Sequence, residues 1–261
     1  MNVVSLGAIV WDASPVMLEF GGRSLLWYSF FCGLSVLLGW QMLLYFLRRE
    51  GMNTNHADRI AQYVFFGGFI GARLGMVLFY EPGYYFANPM EILKVWKGGL
   101  ASHGGAIGIM LALWLYSKRY TDINLWWLLD RGAIAALPIA GLIRLGNLFN
   151  SEIYGKVTDV PWAFIFPLSD PSLQARHPSQ LYDVILVFGM FVLLFLIYRK
   201  KESYPDGYFV GLFFTFCFGI RALLEFFKED AVTTQLLSLP LVAIGLFLLF
   251  RIWKKKDFTT A

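Results

Sequence analysis

Residues Gly141 to Gly155 read GLIRLGNLFNSEIYG and follow a long apolar run, yet they place Arg144, Asn147, Asn150, Ser151 and Glu152 close together. Polar and charged side chains beside hydrocarbon are costly unless partnered, and in membrane chains they mark functional sites. These residue types suit an anionic headgroup. The guanidinium of Arg144 is planar, always charged and offers paired donors to a phosphate. The amides of Asn147 and Asn150 bridge headgroup oxygens, and glycines at 141, 146 and 155 let backbone N–H groups come close. A snorkelling Arg before a helix-stop Gly would account for one of these residues. It would not account for Asn147, Glu152 and Gly155 as a set.

Other polar residues stand out in the same way. His103 lies between glycine pairs in Gly98-Gly99-Leu100-Ala101-Ser102-His103-Gly104-Gly105. Its imidazole suits a base or a headgroup donor, and equally a hydrogen-bonded structural His at a helix break. No second His or Cys stands at ligand spacing from it, so no metal site is expected. Arg221 and Glu225 are four residues apart on one helical face. They read either as an intramembrane ion pair or, with Arg144, as a clamp of two Arg side chains on one phosphate. The run Arg176-His177-Pro178-Ser179-Gln180-Leu181-Tyr182-Asp183 fits a helix start, where positioning the preceding loop is at least as good a role as chemistry. Tyr28 is a belt aromatic or a substrate hydrogen-bonder. Local salt bridges are expected for Arg73 and for the Asp130-Arg131 pair. Cys32 and Cys217 each sit in an apolar run and read as small buried hydrophobes rather than a disulfide.

The elements that hold these residues are membrane spans. The 261 residues are 57% hydrophobic and only 15% charged, too few charges for a soluble domain of that length. Nine Trp and thirteen Tyr suit rings at headgroup level. The net charge of +4 is small and forms no separate basic stripe, so nucleic acid is not an expected partner. A spanning helix takes about 20 apolar residues, and seven such windows lie at 25–47, 60–80, 100–117, 123–143, 178–198, 208–227 and 236–253. The third is short and glycine-rich at its start, which suggests a tilted, broken or re-entrant segment. Residues 1–24 read as a surface-lying arm with no signal-peptide pattern.

Arg48, Arg49, Arg59, Lys118, Arg119, Arg199, Lys200, Lys201 and the tail Arg251, Lys254, Lys255 and Lys256 fall on one side of these spans. Arg23, Lys94, Lys97, Lys156, Arg176 and Lys228 are scattered on the other. The positive-inside rule then puts the N-terminus outside and the C-terminus in the cytoplasm. Two long outer connections remain, 81–99 and 144–177, and the second carries a short alternating run and turn formers that suit a small β-containing cap. The expected fold is an all-α polytopic membrane protein of seven transmembrane helices, one domain over 1–261, with a small extracytoplasmic head containing short β structure. Its chemistry is expected on the outer side.

Taken together, these stretches resemble the bacterial prolipoprotein diacylglyceryl transferase family. The matching pieces are His103-Gly104-Gly105, the signature Gly141-x-x-Arg144-x-Gly146-Asn147-x-x-Asn150-x-Glu152-x-x-Gly155, His177-Pro178-Ser179-Gln180-Leu181-Tyr182, and Arg221-x-x-x-Glu225-Phe226. With Tyr28 they cover most of the chain in the family's order. One departure precedes Arg221, where family members often carry a Tyr and this chain has Cys217 and Phe218. The resemblance implies transfer of the diacylglyceryl group of phosphatidylglycerol to the lipobox Cys thiol of a preprolipoprotein, with glycerol phosphate released. It implies a bacterial cytoplasmic membrane location, partners limited to the bilayer, phosphatidylglycerol and lipobox peptides, and no cofactor or metal. Arg144 and Arg221 become the cations that steady the departing phosphate, with His103 or Glu152 as the base. Tyr28, Asn147, Asn150, Gly155, Glu225 and Gly104 become substrate contacts. The competing class is a transporter or flippase for a phosphorylated lipid or small anion, against which no inverted repeat is visible.

Overall fold

The computed structural model describes residues 7–224, 227 and 231–257. Glu225 and Lys228 therefore lie outside the described residues. The structure is 69% helical with a few short strands. Among the described residues, four helices are long and apolar enough to cross a membrane: α1 Trp27–Arg49, α2 with its continuation (Asn55–Tyr80), α5 Leu125–Phe149 and α6 Ser179–Lys200. Residues such as Val36 and Leu37 on α1 and Phe65 and Phe66 on α2 are about 60% exposed, as side chains facing lipid must be. A shorter apolar helix runs through Tyr208–Ala222. Two further long helices among the described residues are α4 Ser102–Arg119 and α9 Ala231–Asp257. The chain divides into two compact units, 1–42 with 130–261, and 43–129.

In the unit 43–129, α2 (Asn55–Gly75) packs on α4 through glycines. A Cβ on Gly108 would sit 2.0 Å from the Gly67 carbonyl oxygen, and one on Gly104 would sit 2.3 Å from that of Gly71. Small residues every four positions on both helices allow this approach, the usual way helices associate where no hydrophobic force separates them from lipid. The third window is therefore one unbroken helix rather than a broken or re-entrant one. Its glycines serve a helix crossing.

Arg73 departs from the expected salt bridge. It is buried, and its Nε donates to the Ile92 carbonyl at 2.8 Å while Nη1 donates to those of Gly98 and Gly99 at 2.8 and 2.9 Å. Nη2 donates to the Glu91 carbonyl, and the guanidinium lies over the Tyr85 ring. One cation thus orders the whole 81–99 connection, which consists of α3 Pro82–Ala87 and two 3₁₀ turns. At the other end of this unit, buried His56 shares hydrogen bonds with the Tyr116 hydroxyl and Asp122, tying α2 to α4 and the turn after it.

In the other unit, the chain enters through β1 Ile9–Val10, which pairs in parallel with β4 Phe164–Ile165. A hairpin comes next, β2 Val16–Phe20 and β3 Arg23–Leu26. Its two turn residues, Gly21 and Gly22, have φ of 56° and 74°, as a tight primed turn requires. β4 also bridges Arg176 on its other edge, so the expected β-containing cap is present and borrows its second strand from the N-terminal arm. Trp11 fastens that arm: its Nε1 donates to the Leu148 carbonyl at 3.0 Å and its ring stacks on Phe164. Asp130 accepts the backbone N–H groups of Gly207 and Val210, both at 2.9 Å, and so caps α7 Tyr208–Leu212. Its carboxylate therefore serves a helix start rather than simply pairing with the neighbouring Arg131, whose guanidinium lies over the Tyr198 ring.

The crossing of α2 and α4 yields a test. Gly108→Leu is expected to destabilise the protein by at least about 3 kcal/mol, since overpacking a tight contact against backbone has no cheap relaxation. Thermal unfolding in detergent measures this, and a melting temperature equal to wild type would contradict the packing.

Candidate active site

α5 ends at Phe149, and the chain then turns back over its own last turn. Ser151 and Ile153 have φ of 53° and 61°, left-handed values that ordinary residues adopt only when their surroundings impose them. The Glu152 N–H reaches back to the Asn147 carbonyl at 3.0 Å. The Glu152 side chain thereby folds over the helix end, where its Oε1 accepts from Asn147 Nδ2 at 3.0 Å and Asn150 Nδ2 at 3.2 Å. The start of α6 secures the turn: Gln180 Nε2 donates to the Glu152 carbonyl and Ser179 Oγ to that of Ile153, at 2.8 and 2.7 Å. The strained turn is thus held from outside itself.

Arg144 stands just under two helical turns before that bend. Its Nε contacts Asp183 Oδ2 at 3.1 Å, with side chains 19% and 8% exposed. Tyr28 packs on the same helix at Gly146, close enough that a Cβ there would lie 2.8 Å from its ring. Tyr28 shares a hydrogen bond with Cys32 and lies within electrostatic range of Glu152 and Arg144. Arg221 is carried by α8 Phe218–Leu224, after a π turn at Phe213–Cys217. Such turns are frequent at functional sites because the extra residue re-aims the side chains after it. Cys217 feels both the Arg221 guanidinium and the Asp183 carboxylate, and α6 packs against both α8 and the π turn.

Gly155 is buried, and it faces backbone. A Cβ there would lie 2.5 Å from the Phe227 carbonyl oxygen and 2.8 Å from His177 Cβ. The adjacent Lys156 N–H donates to that same carbonyl at 2.8 Å. The head therefore grips the chain six residues beyond Arg221. Around this grip, Trp162 Nε1 donates to the Tyr182 hydroxyl at 2.9 Å, and that hydroxyl lies 3.0 Å from His177 Nδ1. Burial pushes His177 below the usual range of histidine, so its neutral Nδ1 accepts the Tyr182 hydrogen. Asp170 takes Arg176 Nε at 2.5 Å and the Ser172 N–H and hydroxyl at 3.0 and 2.6 Å. Burial alone would raise that carboxyl, but Arg176 and Ser172 outweigh it and hold it below its usual range.

Of the residues singled out from sequence, Tyr28, Arg144, Asn147, Asn150, Glu152 and Gly155 come together, and Arg221 is carried by α8, which packs against α6. His103 and Gly104 belong to the unit 43–129, in the first turn of α4. There His103 is exposed, while Gly104 is buried in the crossing with α2. Three contributors escape sequence reading as site residues: Asp183, Gln180 and Ser179. Their signal is faint, namely polar residues entering the buried stripe of a helix that is otherwise apolar.

These features define a helical membrane protein with a cluster of polar and charged side chains at the end of one of its helices. A family model described as prolipoprotein diacylglyceryl transferase matches residues 15–251. Proteins named phosphatidylglycerol–prolipoprotein diacylglyceryl transferase are similar along nearly their whole length. The relative from Chloroherpeton thalassium is 45% identical over 93% of this chain and 94% of its own. That from Tolumonas auensis is 39% identical over 95% and 99%, and that from Porphyromonas gingivalis 39% over 93% and 94%. The chain belongs to the prolipoprotein diacylglyceryl transferase family.

His177 supplies a pH test. Its folded-state pKa lies below the unfolded value of about 6.5, so the unfolded chain binds the extra proton first as pH falls. The stability it contributes is present above that value and is lost on acidification below it. Wild type in detergent is expected to lose melting temperature between pH 7.5 and 5.5, and His177→Gln to lose less. Equal losses would contradict a neutral, accepting imidazole.

Proposed function

We propose that this protein transfers the diacylglyceryl group of phosphatidylglycerol to the lipobox Cys thiol of preprolipoproteins. It does so as a seven-span protein of the bacterial cytoplasmic membrane, with N-terminus and head outside and the C-terminus in the cytoplasm. The basic residues crowding one set of helix ends support this orientation. The observation that carries the reaction is the convergence on one helix end of Arg144, the Asn147–Asn150–Glu152 cluster and Tyr28, with Arg221 on the neighbouring α8. Family membership agrees with it. The transporter alternative is set aside, because the relatives' name is that of a transferase.

The acceptor thiolate attacks the glycerol carbon that bears the phosphate. A carbon–sulfur bond forms, the carbon–oxygen bond breaks, and that electron pair stays on the departing glycerol phosphate. The phosphodiester carries one negative charge and the departing monoester gains a second. Fixed cations aimed at this phosphate therefore stabilise the transition state more than the ground state. Arg144 and Arg221 fill that role. Asn147, Asn150 and Tyr28 hold the headgroup, and Gly155 keeps the head close to the chain beyond α8. The thiol proton, with an ordinary pKa near 8.5, passes to Glu152 or His103.

Membranes containing the protein, given phosphatidylglycerol and a lipobox peptide, are expected to add one diacylglyceryl mass to the peptide Cys and to release equimolar glycerol phosphate. Arg144→Ala is expected to lower kcat at least about 100-fold while the protein still inserts, and Arg221→Lys to restore little because the planar fork is lost. Full turnover in both variants would refute the two-cation mechanism. Comparing the pH–rate profiles of Glu152→Gln and His103→Gln identifies the base, since the acidic limb set by the base's own ionisation is missing in one variant only. Intact limbs in both would exclude the pair.

A further inference from the structure

The buried stripe of α6 comprises Ser179, Gln180, Asp183, Val187, Met190, Leu194 and Tyr198. Beyond its first turn this face is apolar but for Tyr198 and one charge, Asp183. That carboxylate has a named partner, Arg144 Nε at 3.1 Å, and its side chain is 8% exposed. Gln180, almost one helical turn earlier and fully buried, holds the Glu152 carbonyl at 2.8 Å. Two neighbouring positions on one helix face thus fix the two ends of the polar signature on α5. Stability alone gives little reason for an ion pair here, since a buried pair is commonly no better than well-packed apolar residues in both places. The geometry gives a reason. Asp183 engages the Nε edge of the guanidinium, so the plane is set by a fixed partner and the Nη end is not the edge that Asp183 occupies.

We propose that Asp183 is the positioning residue of the anion site: its carboxylate sets the plane of Arg144 and balances its charge until a substrate phosphate arrives at the other edge. The proposal rests on Arg144 being a phosphate ligand. With Asp183 in place, the guanidinium bridges two anions, one permanent and one that comes and goes. The permanent one weakens the grip on the product, glycerol phosphate, whose second charge would otherwise slow its departure. Asp183 also lies close enough to act on Cys217, one turn before Arg221, so its charge reaches the second cation's helix.

Three variants separate this from a merely structural pair. Asp183→Leu leaves the Arg144 guanidinium without its carboxylate, so it is expected to melt lower than wild type and, in the protein that stays folded, to lose about 100-fold in kcat, because a misoriented guanidinium no longer meets the phosphate. Asp183→Asn keeps an acceptor oxygen and removes the charge. It is expected to bind glycerol phosphate several-fold more tightly, by competition or calorimetry on the purified protein, while kcat falls. In an Arg144→Ala background, Asp183→Leu is expected to cost nothing more, as residues acting through one another do not add. Wild-type kcat in Asp183→Leu, or the same further loss without Arg144, would overturn the proposal. Should the Leu variant fail to fold, unchanged glycerol phosphate affinity in Asp183→Asn would overturn it. A wild type that binds glycerol phosphate but transfers nothing would overturn the transferase reading instead, and the Asp183→Asn affinity would still decide this one.

Discussion

A polar group surrounded by hydrocarbon has to find its partner inside the chain, and most of this structure stems from that demand. Arg73 meets it with backbone carbonyls, Asp130 with backbone N–H groups, and Arg144 with Asp183. The three solutions have different consequences. A guanidinium wrapped in carbonyls is fully used and orders a connection. A carboxylate on two N–H groups is a cap, and it starts α7 where the sequence has a left-handed Gly207. A guanidinium met at Nε by a carboxylate is the arrangement on which the proposed chemistry rests.

Apart from turn positions such as Gly21 and Gly22, glycine does two jobs in this chain that are set by closeness. In α2 and α4 it lets two helices touch backbone to backbone. At Gly155 it lets the head lie against the carbonyl of Phe227. The second contact joins a short β cap, built from β1, β4 and the Arg176 stretch, to the chain three residues beyond the helix that bears Arg221. The head is less a lid than a brace: Asp170–Arg176 and Trp162–Tyr182–His177 both converge beside Gly155.

Much of this is legible in the residues. The apolar windows mark the helices, the turn formers mark the head, and the Gly141–Gly155 signature marks the polar cluster gathered around Glu152. Long-range pairing stays hidden. Nothing local in Ile9-Val10 announces a strand completed by Phe164-Ile165, because a two-residue strand has no period to read. In sequence Asp183 is a favourable charge near a helix start, and only the packing of α6 on α5 turns it into a partner for Arg144. A carboxylate is the partner a sequence suggests for Arg73, since carbonyl oxygens leave no signature there. Gly104 stands out beside His103, whereas its neighbours on α2 account for its lack of a side chain.

The central claim is that one lipid phosphate meets both guanidinium groups while Asp183 keeps its hold on Arg144. A structure of the protein in a nanodisc containing phosphatidylglycerol tests it most directly. The account predicts a phosphate oxygen about 3 Å from an Arg144 Nη atom, with Arg221 on the same phosphate and Nε still on Asp183. A phosphate lodged elsewhere, touching neither guanidinium, would contradict it.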